Sequence, residues 1–547
     1  MASRKAASKY QVTGLIINVG YSPSLRQISS IVTQLRKDVP EFAALVSKDV
    51  RASLLGKGAD DILVPINPRK SKSIAEAWGA VHALMAHELV TDCEPAVQVP
   101  SEQEPPLPAT LKSGGSNHDA PGSEKQEWSV DLVHARSAWS QFSVSGKGVK
   151  VGHPDTGYTR HPEILDSRLL VAEGYNFEED SADPLDPLKG SGTGHGAATA
   201  SVIMANSTNS PRVFGVAPAV KLVPLRVSDS VVHFNFSNVA QALYRARDRK
   251  CHLVSMSLGG PWAGRSLGRA VDTVIADGLI LLAAAGNKWP WVVYPALFDN
   301  VVAVAACGPG FKPWRSSAAG PAVDITAPGD SVWRAMTNKK GAEKYPVKRS
   351  SGTSYAVATT AGVCALWLEH HGVAELQARY GGRLAAVFLS LLKASVTEVP
   401  GWDASAYGPG VLNATKLLET SLPALGAASR KTGMATPANA QGIQAIDRLQ
   451  KYFPELTLQQ LAKATTAILG DRAKGRGQAK VKNQAPSRPT LMDEVEFYVA
   501  TDAGVRAAFL AAGGKGKTRA GLKSATSQPA KALEALASEP LRQLIKA

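Results

Sequence analysis

The sequence predicts an α/β protein built on a doubly wound, mostly parallel sheet, with a small N-terminal α+β domain and a helical, basic C-terminal extension. Three observations carry this reading. The 547 residues exceed what one hydrophobic core accommodates, so several domains are required. Between Trp128 and about Glu419 short apolar runs alternate with helical stretches, as the crossovers between parallel strands demand. Residues 99–127, where 12 of 29 positions are Pro, Ser or Gly, read as a flexible linker ahead of that region.

The boundaries follow as residues 1–98, the linker 99–127, a central domain 128–420 and an extension 421–547. In the first, Val12 to Val19 reads as a strand, and Leu25, Ile28, Ile31, Val32 and Leu35 fall on one helical face. A second helix runs from Ile74 to His87, and Ala96 to Val99 closes the domain as a strand. In the central domain, residues 149–151, 222–227, 253–257, 279–285 and 301–307 read as strands, most of them buried on both faces. Helices at 238–249 and 267–276 alternate with them. The extension is Ala-rich and helical, interrupted by the polar, basic stretch from Asp471 to Pro489.

A composition of 44% hydrophobic and 20% charged residues is that of a globular chain and excludes an intrinsically disordered one. The net charge is +15, and residues 425–547, with 19 basic and 9 acidic side chains, carry +10 of it. That basic tail has two readings, a site for an anionic partner or a solvated, partly disordered surface. The second is favoured, because the tail contains no nucleic-acid motif and few aromatic residues between its charges. Cys93, Cys251, Cys307 and Cys364 form no CxxC pair, and the last three lie in apolar runs, so all four read as reduced core residues. No stretch approaches the roughly 18 apolar residues of a membrane span, and no classical export signal is seen. A cytoplasmic location is expected.

Three short segments carry chemistry together that none carries alone. Asp155-Thr156-Gly157 ends a strand with a carboxylate on a tight turn. Gly192-Thr-Gly-His195-Gly196 places a histidine at the head of an apolar helix. Ser351-Gly-Thr-Ser354 puts a hydroxyl at the start of another. Alone, the histidine reads as structural and the serine as an N-cap. Jointly they supply a nucleophile, a general base and an orienting carboxylate in the chain order Asp, His, Ser, one of the known triad orders. Ala283-Ala-Ala-Gly286-Asn287 ends a buried strand with an amide, so Asn287 and the Ser354 backbone N–H are candidate donors to an oxyanion.

With these motifs in that order, residues 128–419 resemble the subtilisin-like serine peptidases, the subtilase family. Ser255-Met-Ser257-Leu258-Gly259-Gly260 is similar to the family's substrate-binding strand, which pairs with an extended peptide. Gly215-Val-Ala-Pro218, Tyr294-Pro-Ala296, Ala327-Pro-Gly329 and Tyr407-Gly-Pro-Gly-Val411 match its structural landmarks. The resemblance implies a serine endopeptidase with Asp155, His195 and Ser354 as triad and Asn287 as oxyanion donor. It further implies that Ser257, Leu258, Gly259 and Gly260, with Ala284, Ala285 and Gly286, bind the substrate and wall the primary specificity pocket. The chain departs from the family at Ala197, Tyr355 and Ala358, where Thr, Met and Pro are usual, and Pro154 directly before Asp155 is unexpected.

No cofactor is expected for this chemistry. Glu163 and the loop 206–210 fall where relatives bind a structural calcium, but the loop offers amides and hydroxyls without a carboxylate, which disfavours the ion. The expected partner is a polypeptide substrate. A peptide-binding pseudoprotease without turnover is the alternative, against which stands the presence of all four catalytic residue types. For the N-terminal domain two readings remain open, an intramolecular inhibitory pro-region and a permanently attached recognition domain.

Overall fold

The computed structural model describes residues 11–66, 73–98, 125–207, 213–232, 236–337, 346–424, 448–453, 455–469, 488–513, 531 and 533–546. The linker at 99–124, part of the loop at 206–210 and most of the basic stretch 471–489 lie outside them. Two compact units form. One comprises residues 1–101, 264–266 and 433–547, the other residues 102–263 and 267–432.

In the first unit, strands β1 (Gln11–Asn18), β2 (Ser53–Leu54), β3 (Asp61–Pro65) and β4 (Asp92–Gln98) make an antiparallel sheet in the order β2-β3-β1-β4. Helices α1 (Leu25–Asp38), α2 (Pro40–Leu45) and α3 (Ile74–Leu84) complete the fold. Both longer helices start with a full capping box, Ser24 with Gln27 and Ser73 with Glu76, which satisfies N-terminal donors reciprocally. Of the apolar positions of α1, Ile28, Ile31, Val32 and Leu35 form the buried face, whereas Leu25, the first residue of the helix, is exposed.

The second unit opens with α4 (Trp128–Leu132) and α5 (Ala135–Phe142) and continues into a seven-stranded sheet. Its strands are β5 (Lys150–Asp155), β6 (Tyr175–Asn176), β7 (Lys221–Arg226), β8 (Leu253–Met256), β9 (Ile280–Ala284), β10 (Val302–Cys307) and β11 (Ile325–Pro328). Every pairing is parallel, in the order β11-β10-β9-β8-β5-β7-β6. The helices that position the site are α6 (His195–Met204), α7 (Phe236–Asp248), α8 (Arg265–Ala276) and α9 (Thr353–His371). A short antiparallel pair, β12 (Val332–Ala335) with β13 (Val347–Ser350), precedes α9. Residues 353–368 of α9 are all buried, and the helix packs across β8 to β11 and against α6. A helix apolar on every side is what a fully enclosed position requires.

The chain order reverses at β5, which has β7 on one side and β8 on the other. Open parallel sheets bind ligands in the crevice beyond the carboxyl ends of the strands at such a point. Pro154 is tolerated there because the β5–β8 register runs only through Val151 and Gly152, so the missing N–H interrupts no ladder on that side.

Helices α10 (Val373–Tyr380), α11 (Leu384–Ala394), α12 (Ala404–Tyr407) and α13 (Ala414–Glu419) belong to the second unit, and α14 (Leu458–Leu469), α15 (Arg488–Thr501), α16 (Ala503–Gly513) and α17 (Glu539–Lys546) to the first. Helices α15 and α17 pack on α3 of the N-terminal sheet domain. Trp78 of α3, fully buried, lies 6.2 Å from the Phe497 ring. His82 Nε2 lies 2.7 Å from Glu494 Oε2, and Glu494 also accepts from the Ser538 amide and hydroxyl, each at 2.7 Å. From residue 448 on, the described part of the extension therefore packs with the N-terminal domain, and its acidic run Asp493, Glu494 and Glu496 is buried.

Candidate active site

Three strand ends and two helix starts converge at the carboxyl edge of the sheet. Asp155 is the last residue of β5 and is 2% exposed. His195 is the first of α6, and its Nδ1–H donates to Asp155 Oδ1 at 2.8 Å. The Thr156 amide donates to the same oxygen at 2.7 Å, while Thr199 Oγ1 donates to Oδ2 at 3.2 Å. Burial pushes the Asp155 pKa up, but the adjacent His195, His153 and the Thr156 amide outweigh it and hold the carboxyl below its usual value. A carboxylate so held fixes the tautomer and orientation of the imidazole.

The turn that delivers His195 depends on close backbone approach. Gly194 sits at φ +68°, a conformation that L side chains rarely adopt. A Cβ on Gly196 would lie 2.0 Å from the Gly157 carbonyl oxygen. The Asp155 and His195 turns are then tied together by Asp186. Its Oδ2 accepts from Thr156 Oγ1 at 2.7 Å and from the Gly194 amide at 2.9 Å, and Thr156 Oγ1 accepts from the Gly196 amide at 3.1 Å. Arg226, fully buried at the end of β7, donates to the Thr156 carbonyl at 2.9 Å and pairs with Glu179 and Asp229. Sequence reasoning missed Asp186 and Arg226. Neither stands in a motif, and the only local signal is a carboxylate set between Leu185 and Pro187 in a loop.

His153 was missed as well. It is 1% exposed, lies two residues before Asp155 on β5, and places Nε2 3.0 Å from Thr199 Oγ1 and 3.8 Å from Asp155 Oδ2. Burial lowers its pKa, against the attraction of Asp155.

Ser354 begins α9 at its second position and is 5% exposed. In this structure its hydroxyl donates to the Ser257 carbonyl at 3.3 Å, not to His195, and Ser257 Oγ donates back to the Ser354 carbonyl at 3.0 Å. The Tyr355 ring, at the position where the family usually has Met, lies 6.4 Å from the His195 ring. Asn287 follows β9. Its Oδ1 accepts from the Thr353 amide at 2.9 Å and the Thr353 hydroxyl at 2.8 Å. That pairing assigns the amide, so Nδ2 is the end lying beside Gly352, where a Cβ would meet Nδ2 at 3.5 Å and the Ser354 amide at 3.7 Å. The two donors thus flank one point next to the nucleophile candidate, at the positive end of a 19-residue helix.

Of the residues expected to wall the substrate pocket, Ser257, Leu258, Gly259, Ala284 and Gly286 line a cleft together with Asn287 and Ser354. Gly260 and Ala285 are instead paired through their backbones, Gly260 with Tyr294 in both directions and Ala285 with Val293 and Val304. The strand edge is also partly occupied, because the Gly259 amide donates to the Val231 carbonyl at 3.0 Å. Among the described residues no group of three or more His, Cys, Asp or Glu is arranged to hold a metal ion. All four cysteines are unpaired and buried, and burial raises the thiols of Cys251 and Cys307 to about 12. Reactive-thiol chemistry at these positions is disfavoured.

Comparison with known proteins bears on the family and the fold. The subtilase family model matches residues 146–379. M-protease of Shouchella clausii is 32% identical over 240 residues, 44% of this chain and 58% of its own length. Subtilisin Savinase of Lederbergia lenta is 32% identical over 240 residues, 44% of this chain and 82% of that protein. The major intracellular serine protease of Bacillus subtilis is 29% identical over 245 residues, 43% of this chain and 73% of that protein. Among solved structures, fervidolysin from Fervidobacterium pennivorans shares the fold, with a TM-score of 0.57 at 19% identity over 77% of this chain and 63% of that one. With a subtilisin matched at 32% identity along 82% of its length, this chain belongs to the subtilase family of serine peptidases.

Proposed function

We propose that this protein is a serine endopeptidase acting on polypeptides, with Asp155, His195 and Ser354 as its triad. The observation that carries the reading is the buried 2.8 Å pair of Asp155 and His195 at the head of α6, packed against the helix that starts with Thr353 and Ser354. A turn of the Ser354 side chain to another staggered rotamer aims Oγ away from the Ser257 carbonyl and toward the imidazole. Ser354 Oγ then attacks the peptide carbonyl while His195 Nε2 takes its proton. Asn287 Nδ2 and the Ser354 amide stabilise the oxyanion, and its collapse breaks the C–N bond as His195 returns the proton to the leaving amine. Water, deprotonated by His195 in turn, hydrolyses the acyl ester and restores Ser354. Asp155 stays ionised throughout and stabilises the imidazolium.

The test is labelling with a fluorophosphonate probe alongside hydrolysis of a casein substrate. Labelling of the wild type, lost in Ser354→Ala, together with casein cleavage supports the reading. Peptide binding without labelling or turnover would establish the pseudoprotease instead.

For the first unit we favour intramolecular restraint of the peptidase by the N-terminal domain. A tethered domain acts at an effective concentration near the millimolar range, so a weak inhibitor suffices. The four reduced cysteines support a reducing, cytoplasmic location, and no described helix is long and apolar enough to cross a membrane. An anionic partner for the basic extension would be met through its Lys- and Arg-rich segments, 470–487 and 514–530, which lie outside the described residues.

A further inference from the structure

The cleft beside Ser354 is bounded by two glycines, Gly259 after β8 and Gly286 after β9, a pattern that by itself would leave an open slot for a large side chain. The slot is filled from within. Val293 Cγ2 lies 2.5 Å from where a Cβ on Gly259 would stand, and its two methyl groups lie 3.1 and 3.2 Å from where one on Gly286 would stand. The same side chain therefore occupies the space that both glycines vacate. Trp289 closes the Gly286 side, with its ring edge 3.3 Å from that same point.

Val293 has nowhere to retreat. It is 1% exposed, and its amide donates to the Ala285 carbonyl at 2.9 Å. The next residue, Tyr294, is bonded to Gly260 in both directions at 2.9 Å. A β-branched side chain on so fixed a backbone has one or two rotamers and cannot swing aside. The remaining cavity is about 30 Å³. That is far below the hundreds of cubic ångströms of an ordinary ligand pocket.

Resting on the peptidase reading above, we propose that Val293 is a specificity-determining residue that restricts cleavage to bonds following a small residue, namely Gly, Ala or Ser. A leucine or phenylalanine at that position would have to displace Val293, whose backbone is pinned on both sides, and close-packed side chains resist even one added methylene.

The experiment compares kcat/KM of the full-length protein on four otherwise identical peptides with Ala, Val, Leu or Phe before the scissile bond. Casein cleavage and fluorophosphonate labelling serve as the independent readout of peptidase competence. The expected result is a preference for Ala over Phe of at least 100-fold, since each misfit methylene is worth roughly 10-fold or more. Val293→Gly should raise the Phe rate relative to Ala at least tenfold. Val293→Ala should raise Val and Leu first, which keeps the test open if the glycine variant does not fold. Equal or better cleavage after Phe by the wild type overturns the size restriction and leaves the peptidase reading standing. An unchanged preference in both variants shows that Val231 and Val232, which line the same cleft, set the limit, and overturns the role of Val293. Absence of both labelling and cleavage of any substrate overturns the peptidase reading and this inference with it.

Discussion

His82 and Glu494, 412 positions apart in the chain, meet at 2.7 Å with side chains that are 1% and 0% exposed. The pair joins α3 of the N-terminal sheet domain to α15 of the extension, so segments from the two ends of the chain fold into one unit. A contact this deep resists separation, and it changes what a cut in the linker achieves.

A single cut engineered between Val99 and Glu127 is expected to leave the N-terminal fragment bound. It should co-elute with the remainder on a sizing column, and peptidase activity should not rise, because the extension still holds the fragment at high effective concentration. A second cut within residues 425–447 removes the remaining terminal tether, and activity should rise only after both cuts. Release after the first cut alone would refute this. The extension is thus not expected to be dispensable for control.

Glu494→Ala should destabilise the first unit by about 3 kcal/mol, as removal of one partner from a buried pair leaves the other uncompensated. Three donors, His82 Nε2, the Ser538 amide and the Ser538 hydroxyl, lose their acceptor at once. Joint replacement, His82→Leu with Glu494→Met, should recover only part of the loss, because the Ser538 amide and hydroxyl still lack their acceptor. Denaturant unfolding of the three proteins measures it, and a loss below about 1 kcal/mol in the single variant would place the stabilisation elsewhere.

Ser354→Ala should lower turnover toward background, on the roughly 10⁶-fold scale of triad losses in subtilisin. Asn287→Ala should lower kcat by about 10²–10³-fold, the scale found for the oxyanion amide of subtilisin, with KM little changed. Thr353→Val separates positioning from charge stabilisation, because it removes one of the two donors that orient Asn287 while the amide itself remains. A loss of about tenfold is expected there, and steady-state kinetics of the two variants decides between the roles.

His153 has a lowered pKa in the folded state through burial, below an ordinary value near 6.5. A base whose folded pKa is depressed leaves the unfolded chain binding more protons, so stability rises with pH in that interval. The contribution is fully present above pH 6.5 and is lost as pH falls through the folded pKa. His153→Gln, which keeps a group able to bond Thr199, should flatten the fall in stability between about pH 6.5 and 5. Chemical denaturation at pH 7.5, 6.5 and 5.5 tests this, and an identical slope in the variant would mean that other groups carry the acid sensitivity.

Much of the site could be read from the chain alone, for a local reason. Asp155, His195, Ser354 and Asn287 each stand in a short segment whose glycines and apolar flanks announce a turn at a strand end or a helix start, and that chemistry is written within a few residues. The alternation of apolar runs likewise determined the parallel sheet, because buried strands and crossover helices have different periods. Other features needed the tertiary structure. Asp186 and Arg226 act through partners 30 and 70 residues away. Val293 matters only because two glycines from separate strands face it. Asp493, Glu494 and Glu496 stand in a basic tail whose sequence favours a solvated surface, and they are buried in the fold. Their partners, His82 for Glu494 and Arg448 for the other two, come from other segments of the chain. Periodicity reports which side of an element is apolar, whereas the choice of which distant surface covers it depends on how the whole chain packs, and no local window contains that information.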